Sequence, residues 1–187
     1  MSTATLPRRH RFTVDEYYRM AEAGVFKANP RVELIDGEII DMAPMGTPHA
    51  AMTNQLQDVF QAAVHGLALV RVQLPLRLGP HSEPEPDLAL VKPRADYYRG
   101  AHPTPDDAFL VVEVADSSLK DDLDVMAPLY ARHGVPEVWV LDVQALELHV
   151  FRSPVAGRYT EAIVVKSPEV RELAALPVRV DLSGMWP

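Results

Sequence analysis

Apolar positions along the chain recur at two spacings, one typical of helices and the other typical of strands. Helical spacing predicts three helices, over residues 13–23, 48–64 and 119–132. Alternation or short apolar runs predict six strands, over residues 67–78, 87–91, 109–115, 137–143, 146–152 and 158–166. The last twenty residues show no pattern clear enough to assign.

Turn and cap signals sharpen the boundaries of these elements. Residues 31–42 predict a β-hairpin, because Asp36 and Gly37 suit the positive φ angles of a two-residue turn between alternating stretches. Thr13 opens a capping-box pattern at the start of the first helix. Gly134 follows the third helix, where a glycine commonly ends helical structure.

The order of the predicted elements indicates the α/β class, with one mixed β-sheet flanked by α-helices. Residues 109–115 form the most apolar strand and are therefore expected at the centre of the sheet. A chain of 187 residues is expected to fold as a single domain over residues 1–187. Residues 1–10 are interpreted as a flexible N-terminal segment.

Charge and composition narrow the function classes. The chain has no cysteine, which excludes a disulfide scaffold and cysteine-ligated zinc. It carries 18 Lys and Arg against 26 Asp and Glu, a formal net charge of -8. Nucleic-acid-binding proteins usually show a basic footprint, so a nucleic-acid partner would here require a local patch or a metal ion.

The nearest approach to a basic run lies close to the N-terminus, at Arg8, Arg9, His10 and Arg11. It is interpreted as a solvated terminal segment, with a phosphate contact as the alternative. No apolar stretch is long enough to span a bilayer, and the N-terminus lacks the apolar core of a signal peptide. No membrane association and a cytoplasmic location are therefore expected.

Three carboxylates lie within or beside predicted apolar strands: Glu33, Asp87 and Glu113. Burying an ionised carboxylate without compensation is costly. The simplest common explanation is a divalent cation, because Mg²⁺ prefers oxygen ligands. The alternative is that each carboxylate faces solvent. For Glu33 alone this alternative is favoured, whereas the valines on both sides of Glu113 favour a functional role. Asp87 falls between the two, because an aspartate often begins a strand simply as the loop boundary.

Several blocks of sequence in a fixed order resemble the Uma-two family of restriction endonucleases, within the PD-(D/E)XK nuclease superfamily. They are RFTVDEYYRMAEAG, RVELIDGEII, a helix containing HAA, SEPEPDLALV, VVEVADSS and YARHGVPEVWVLD. The resemblance extends from about residue 8 to residue 180. It implies a restriction-endonuclease-like core, a Mg²⁺ (or Mn²⁺) site, and hydrolysis of DNA phosphodiester bonds.

The resemblance also implies roles for individual residues. Asp87 corresponds to the aspartate of the PD element, Glu113 to the acidic residue of the next strand, and Glu33 to the acidic residue of the first hairpin. All three would be metal ligands or would position water. His49 matches a histidine of the second helix that approaches the substrate phosphate; a half-buried helix residue bonded to the backbone is an equal alternative.

The sequence departs from this pattern at its basic residues. The superfamily places a lysine two residues after the strand glutamate, where this chain has Ala115. The family instead has an arginine and a lysine in the following helix, at positions that are Leu123 and Met126 here. Met126 predicts an impaired enzyme, since one lost electrostatic group typically costs roughly 10²–10³ in rate. Lys120 is a candidate replacement, with a solvated loop lysine as its alternative.

The neighbouring residues receive structural interpretations. Asp116, Ser117 and Ser118 are expected to form the turn and cap that start the third helix. Tyr130 and Trp139 are expected to pack in the core, with a substrate contact as the alternative for Tyr130.

Three functional hypotheses follow. The first is a metal-dependent endonuclease. The second is a catalytically degenerate nuclease-fold protein that binds nucleic acid or a protein partner without cleavage. The third is a domain without catalytic function whose acids face water. A homodimer would let an enzyme of this kind cut both strands, and the sequence leaves the oligomeric state open.

Overall fold

The computed structural model describes residues 9–26 and 31–186. Most of the predicted flexible segment, residues 1–8, lies outside them. The helices are α1 Val14–Glu22, α2 Thr47–Ala63, α3 Leu119–Asp121 and α4 Ala127–Arg132. The strands are β1 Val32–Ile35, β2 Glu38–Asp41, β3 Leu69–Val72, β4 Leu88–Val91, β5 Ala108–Ala115, β6 Glu137–Asp142, β7 Glu147–Val155, β8 Arg158–Lys166, β9 Val170–Glu172 and β10 Arg179–Asp181. Within these ranges, no helix has the length and hydropathy needed to cross a bilayer.

A six-stranded sheet organises the molecule, in the order β3-β4-β5-β6-β7-β8. Every neighbouring pair in this sheet is antiparallel except β5 and β6, which are parallel. A parallel pair requires a crossover, and the segment carrying α3 and α4 provides it. The predicted α/β class with a mixed sheet is confirmed, and β5 lies near the centre of the sheet as expected.

Strand alternation divides the core between the two faces of the sheet. On one face, α2 and the C-terminal residues pack against side chains such as Leu110 and Val112. On the other face, α4 packs against Val111 and Ala115. Glu113 shares the parity of Val111 and Ala115, so its side chain emerges on the α4 face. Trp139 is fully buried, as expected.

The β1–β2 hairpin forms as predicted, with Ile35 paired to Glu38 across the turn. Asp36 and Gly37 both adopt positive φ angles, 48° and 80°. Phe12 donates its backbone N–H to the Gly37 carbonyl at 2.9 Å, which ties the N-terminal segment to the tip of the hairpin.

Two predicted elements differ in the structure. The strand predicted over residues 67–78 ends at Val72, because Gln73 takes a left-handed conformation, φ 49°. The chain then leaves the sheet, and Leu76 donates its N–H to Pro84 instead. The helix predicted over residues 119–132 contains a π-helical turn, Asp122–Met126, between α3 and α4. Such turns inside helices often occur at functional sites.

Candidate active site

The centre of the site is the pair Asp87 and Glu113, which strand register brings together. Leu88 on β4 pairs with Val112 on β5, so the preceding Asp87 lies opposite Glu113. Asp87 donates its backbone N–H to Glu113 Oε2 at 3.2 Å, and Val114 donates its N–H to Asp87 Oδ2 at 2.9 Å. The two carboxylates are therefore fixed relative to each other by the sheet.

Glu33 reaches the same cleft from the hairpin. Glu85, two residues before Asp87, donates its backbone N–H to Glu33 Oε2 at 3.2 Å. An isolated bridge between Leu34 and Glu83 holds β1 beside this segment. Glu33, Asp87 and Glu113 all line one cleft of about 670 Å³. The three carboxylates do not point apart into solvent.

His49 and Gln73 both contact Asp87. His49 lies in the first turn of α2, and its Nε2 is 2.7 Å from Asp87 Oδ1. Gln73 donates from Nε2 to the same oxygen at 3.3 Å. The left-handed conformation that ends β3 thus places the Gln73 side chain in the cleft.

The crossover segment supplies the remaining wall. Tyr130 on α4 is fully buried, and its hydroxyl donates to Glu113 Oε1 at 2.6 Å. Ser118 donates its hydroxyl to Asp122 Oδ2 at 2.6 Å in the π-helical turn, although it makes no side-chain cap of the kind expected. Tyr130 is therefore both a core residue and a direct partner of a cleft carboxylate.

The carboxylates of the cleft disfavour each other's charge. Burial raises the pKa of Glu113 well above its usual range, and the charges of Asp87 and Asp122 raise it further. Burial also raises the pKa of Asp122 to about 6 and raises the pKa of Glu33. The pKa of His49 is raised, chiefly because its ring bonds to the Asp87 carboxylate.

A buried glutamate elsewhere in the same sheet has hydrogen-bond donors and an arginine that compensate for the burial of its charge. Glu137, fully buried at the start of β6, accepts hydrogen bonds from Trp139, from the backbone of Ala174, and from Arg152 Nε at 2.7 Å. Glu113 is nearly as buried, with 7% of its surface exposed, yet no Lys or Arg among the described residues bonds to it. Within residues 9–26 and 31–186, Glu113 therefore has no ion-pair partner of the kind that Glu137 has.

The donor chemistry of the cleft fits a hard divalent cation. In the described part of the chain, no group of three or more His, Asp or Glu side chains is already arranged around a metal position. Mg²⁺ does not need such a cage, because one or two carboxylates and several waters commonly hold it. Asp87 and Glu113 would provide such a pair of carboxylates, and a bound cation would offset the repulsion from Asp87 that adds to burial in raising the pKa of Glu113.

The structure separates the two residues of the crossover segment that the resemblance singled out. Met126, at the position where the resemblance implied a lysine, lines the cleft. Lys120 lies outside the cleft lining: its ammonium is exposed and pairs with Asp124 Oδ2 at 2.7 Å. The structure thus brings Glu33, His49, Asp87 and Glu113 together, and leaves Lys120 apart.

Comparisons with known proteins agree with this architecture. The family model Uma2, described as "Putative restriction endonuclease", matches residues 14–183. The structure is similar to a crystal structure described as "a putative nuclease belonging to DUF820 from Anabaena variabilis ATCC 29413". That likeness has a TM-score of 0.68 and 18% identity, and covers 94% of this chain and 97% of the other, so it shows a shared fold. Among curated proteins, no sequence matches. Because the family model spans nearly the whole sequence, the chain belongs to the Uma2 family.

Proposed function

We propose that this protein is a Mg²⁺- or Mn²⁺-dependent endonuclease that hydrolyses DNA phosphodiester bonds. The observation that carries the proposal is the fixed pair Asp87 and Glu113, to which no Lys or Arg of residues 9–26 and 31–186 is bonded. The family to which the chain belongs supports the same reaction class.

In this proposal, Asp87 and Glu113 would hold the cation. A bound divalent cation lowers the pKa of water and neutralises charge that develops on the phosphoryl oxygens. Glu33, on the hairpin side, orients the attacking water. His49 donates from Nε2 to a phosphate oxygen after its bond to Asp87 opens.

Cleavage of supercoiled plasmid in Mg²⁺ and in Mn²⁺ tests the proposal. We expect the wild type to nick the plasmid, and Asp87→Asn to lower the rate at least on the order of 100-fold. Asp106→Asn is the matched control, because Asp106 is an exposed carboxylate that does not line the cleft. Thermal melting of all three proteins checks that each is folded.

Two results would count against the proposal. Equal nicking by the wild type and Asp87→Asn would assign the activity to a contaminant or to another site. A folded wild type that leaves the plasmid intact in both metals would favour the second candidate function.

That second candidate is a nuclease-fold protein that binds nucleic acid or a protein partner without cutting, and Met126 in the cleft favours it. A methionine supplies no charge and no hydrogen-bond donor. If the enzyme lost its activity through this position, Met126→Lys should restore nicking while Met126→Leu should not. Nicking that is equal in the wild type and Met126→Leu would show that the lysine is dispensable here.

A further inference from the structure

Two arginines line the cleft together with the carboxylates: Arg11 and Arg31. Among the described residues, neither side chain forms an ion pair or a hydrogen bond. Other arginines near the hairpin are paired. Arg77 contacts Asp15 at 3.0 Å, and Arg132 contacts Asp36 at 2.8 Å.

The backbone fixes Arg11 at the tip of the hairpin. The neighbouring Phe12 donates its N–H to Gly37, and the Phe12 carbonyl lies 2.9 Å from His81 Nδ1. A Cβ on Gly37 would lie only 2.7 Å from the Cβ of Arg11, so the approach of the two segments requires a glycine. Arg11 is therefore held at a defined position beside the cleft, and does not belong to a freely solvated tail.

Arg31 lies at the other end of the same hairpin. Its carbonyl accepts the N–H of Met42 at 2.8 Å, which extends the pairing of β1 and β2 by one step. Arg31 and Ile35, the residue before the turn, are separated by about 14 Å at the usual rise of an antiparallel strand. Glu33 lies midway along this strand, so one arginine flanks each side of a cleft carboxylate.

Two arginines at opposite ends of one hairpin strand suit contacts to separate phosphates of a nucleic-acid backbone. One DNA strand carries a phosphate about every 3.4 Å along the helix axis, so about 14 Å spans roughly four nucleotides. A guanidinium group matches a phosphate through two parallel hydrogen bonds. With a net charge of -8 and an acidic cleft floor, the protein can attract DNA here only through local cations.

We propose that Arg11 and Arg31 form a phosphate clamp that binds the DNA backbone on both sides of the cleavage point. This inference rests on the proposed endonuclease function of the same cleft. The clamp supplies binding energy and orients the DNA backbone in the cleft.

Fluorescence anisotropy with a 20-base-pair duplex in Ca²⁺ tests the clamp at several salt concentrations. We expect Arg11→Gln and Arg31→Gln each to weaken binding on the order of tenfold. Each should also reduce the slope of log affinity against log salt by about 0.9, the value for one lost phosphate contact. Arg158→Gln is the control, because Arg158 is exposed on β8 and does not line the cleft.

A second measurement makes the test specific for phosphate. A duplex in which one strand has neutral methylphosphonate linkages throughout should bind the wild type more weakly than normal DNA does. This loss should be smaller for the double variant Arg11→Gln/Arg31→Gln, which no longer makes the two contacts. Plasmid nicking in Mn²⁺ is followed for the same proteins.

The outcomes separate the two proposals. If the wild type nicks plasmid while the double variant binds with unchanged affinity and salt slope, the clamp is refuted and the endonuclease stands. If the wild type neither binds the duplex nor nicks plasmid, both fail. Loss of affinity and slope in the arginine variants alone supports the clamp.

Discussion

The surroundings of Asp122 destabilise the ionised form of its side chain. Its side chain is buried in the π-helical turn, with 8% of the residue exposed, and its hydrogen-bond donor is the neutral hydroxyl of Ser118. Burial raises its pKa from an ordinary value of 3.8 to about 6, and the charge of Asp87 contributes. The residue therefore opposes folding when it is ionised.

The raised pKa of Asp122 determines the pH range in which the stability of the protein changes. Between about pH 4 and pH 6 the folded protein binds the Asp122 proton more tightly than the unfolded chain does, so stability falls as the pH rises through this window. Asp122→Asn removes the penalty and keeps an acceptor for Ser118. We expect it to raise the free energy of unfolding by on the order of 2–3 kcal/mol at pH 8, and by almost nothing at pH 4.

Urea unfolding at both pH values, with EDTA present, measures the difference. Asp124→Asn is the control, since Asp124 is an exposed carboxylate in the same turn whose pair with Lys120 is worth little. A variant that is equally destabilised at pH 4 and pH 8 would contradict the electrostatic account of Asp122.

Individual residues also show how far the sequence could predict the site. Asp87 and Glu113 stand out because they interrupt apolar strands, and alternation alone places Glu113 on one defined face. The role of Tyr130 could not be read in this way, because a tyrosine at helical spacing looks the same whether or not its hydroxyl meets a carboxylate. Gln73 contacts Asp87 because its backbone adopts a left-handed conformation. No local sequence pattern predicts that conformation for a glutamine.

At the scale of elements, the hairpin was predictable and its connection to the N-terminal segment was not. Asp36 and Gly37 specify the turn through local backbone preferences. The contact of Gly37 with Arg11 joins residues far apart in the chain, so it depends on tertiary packing. The same reasoning applies to β3, whose apolar alternation continues past Val72 although the backbone leaves the sheet there.

The contact between Gly37 and Arg11 allows backbone strain at a positive φ to be distinguished from a steric clash with Arg11. Gly37→Ala should destabilise the protein by about 1–2 kcal/mol for its positive φ, and by a further amount because the new methyl group collides with Arg11. It should also weaken DNA binding, since Arg11 would move. Equilibrium unfolding and the anisotropy assay measure the two effects.

Gly134→Ala is the matched control. Gly134 has the same φ of +80°, and no atom lies within 4 Å of the position of its missing Cβ. If both variants lose equal stability and keep full DNA affinity, the close approach at Gly37 has no consequence for Arg11.

At the scale of the whole molecule, acidic residues outnumber basic ones. The chain has a net charge of -8, and burial raises the pKa values of Glu33, Glu113 and Asp122 in the cleft. Their ionised forms therefore cost folding free energy. A cation that binds only the folded state would relieve this cost and stabilise the protein.

We therefore expect Mn²⁺ to raise the melting temperature. At 100 times the dissociation constant, the gain is about 2.7 kcal/mol, or roughly 5–10 °C for a chain of this size. The gain should be larger at pH 8 than at pH 5.5, because protons compete with the metal for carboxylates whose pKa is raised. Differential scanning fluorimetry at the two pH values measures it.

Asp87→Asn decides whether the stabilisation comes from the cleft. This substitution removes a ligand charge and leaves the net charge of the rest of the molecule unchanged, so it should abolish most of the shift. Asp106→Asn makes the same change in total charge at an exposed position outside the cleft and should keep the shift. Equal shifts in the two variants would mean that Mn²⁺ acts by general screening of an acidic protein. This result would contradict the proposal that the cleft binds a metal ion.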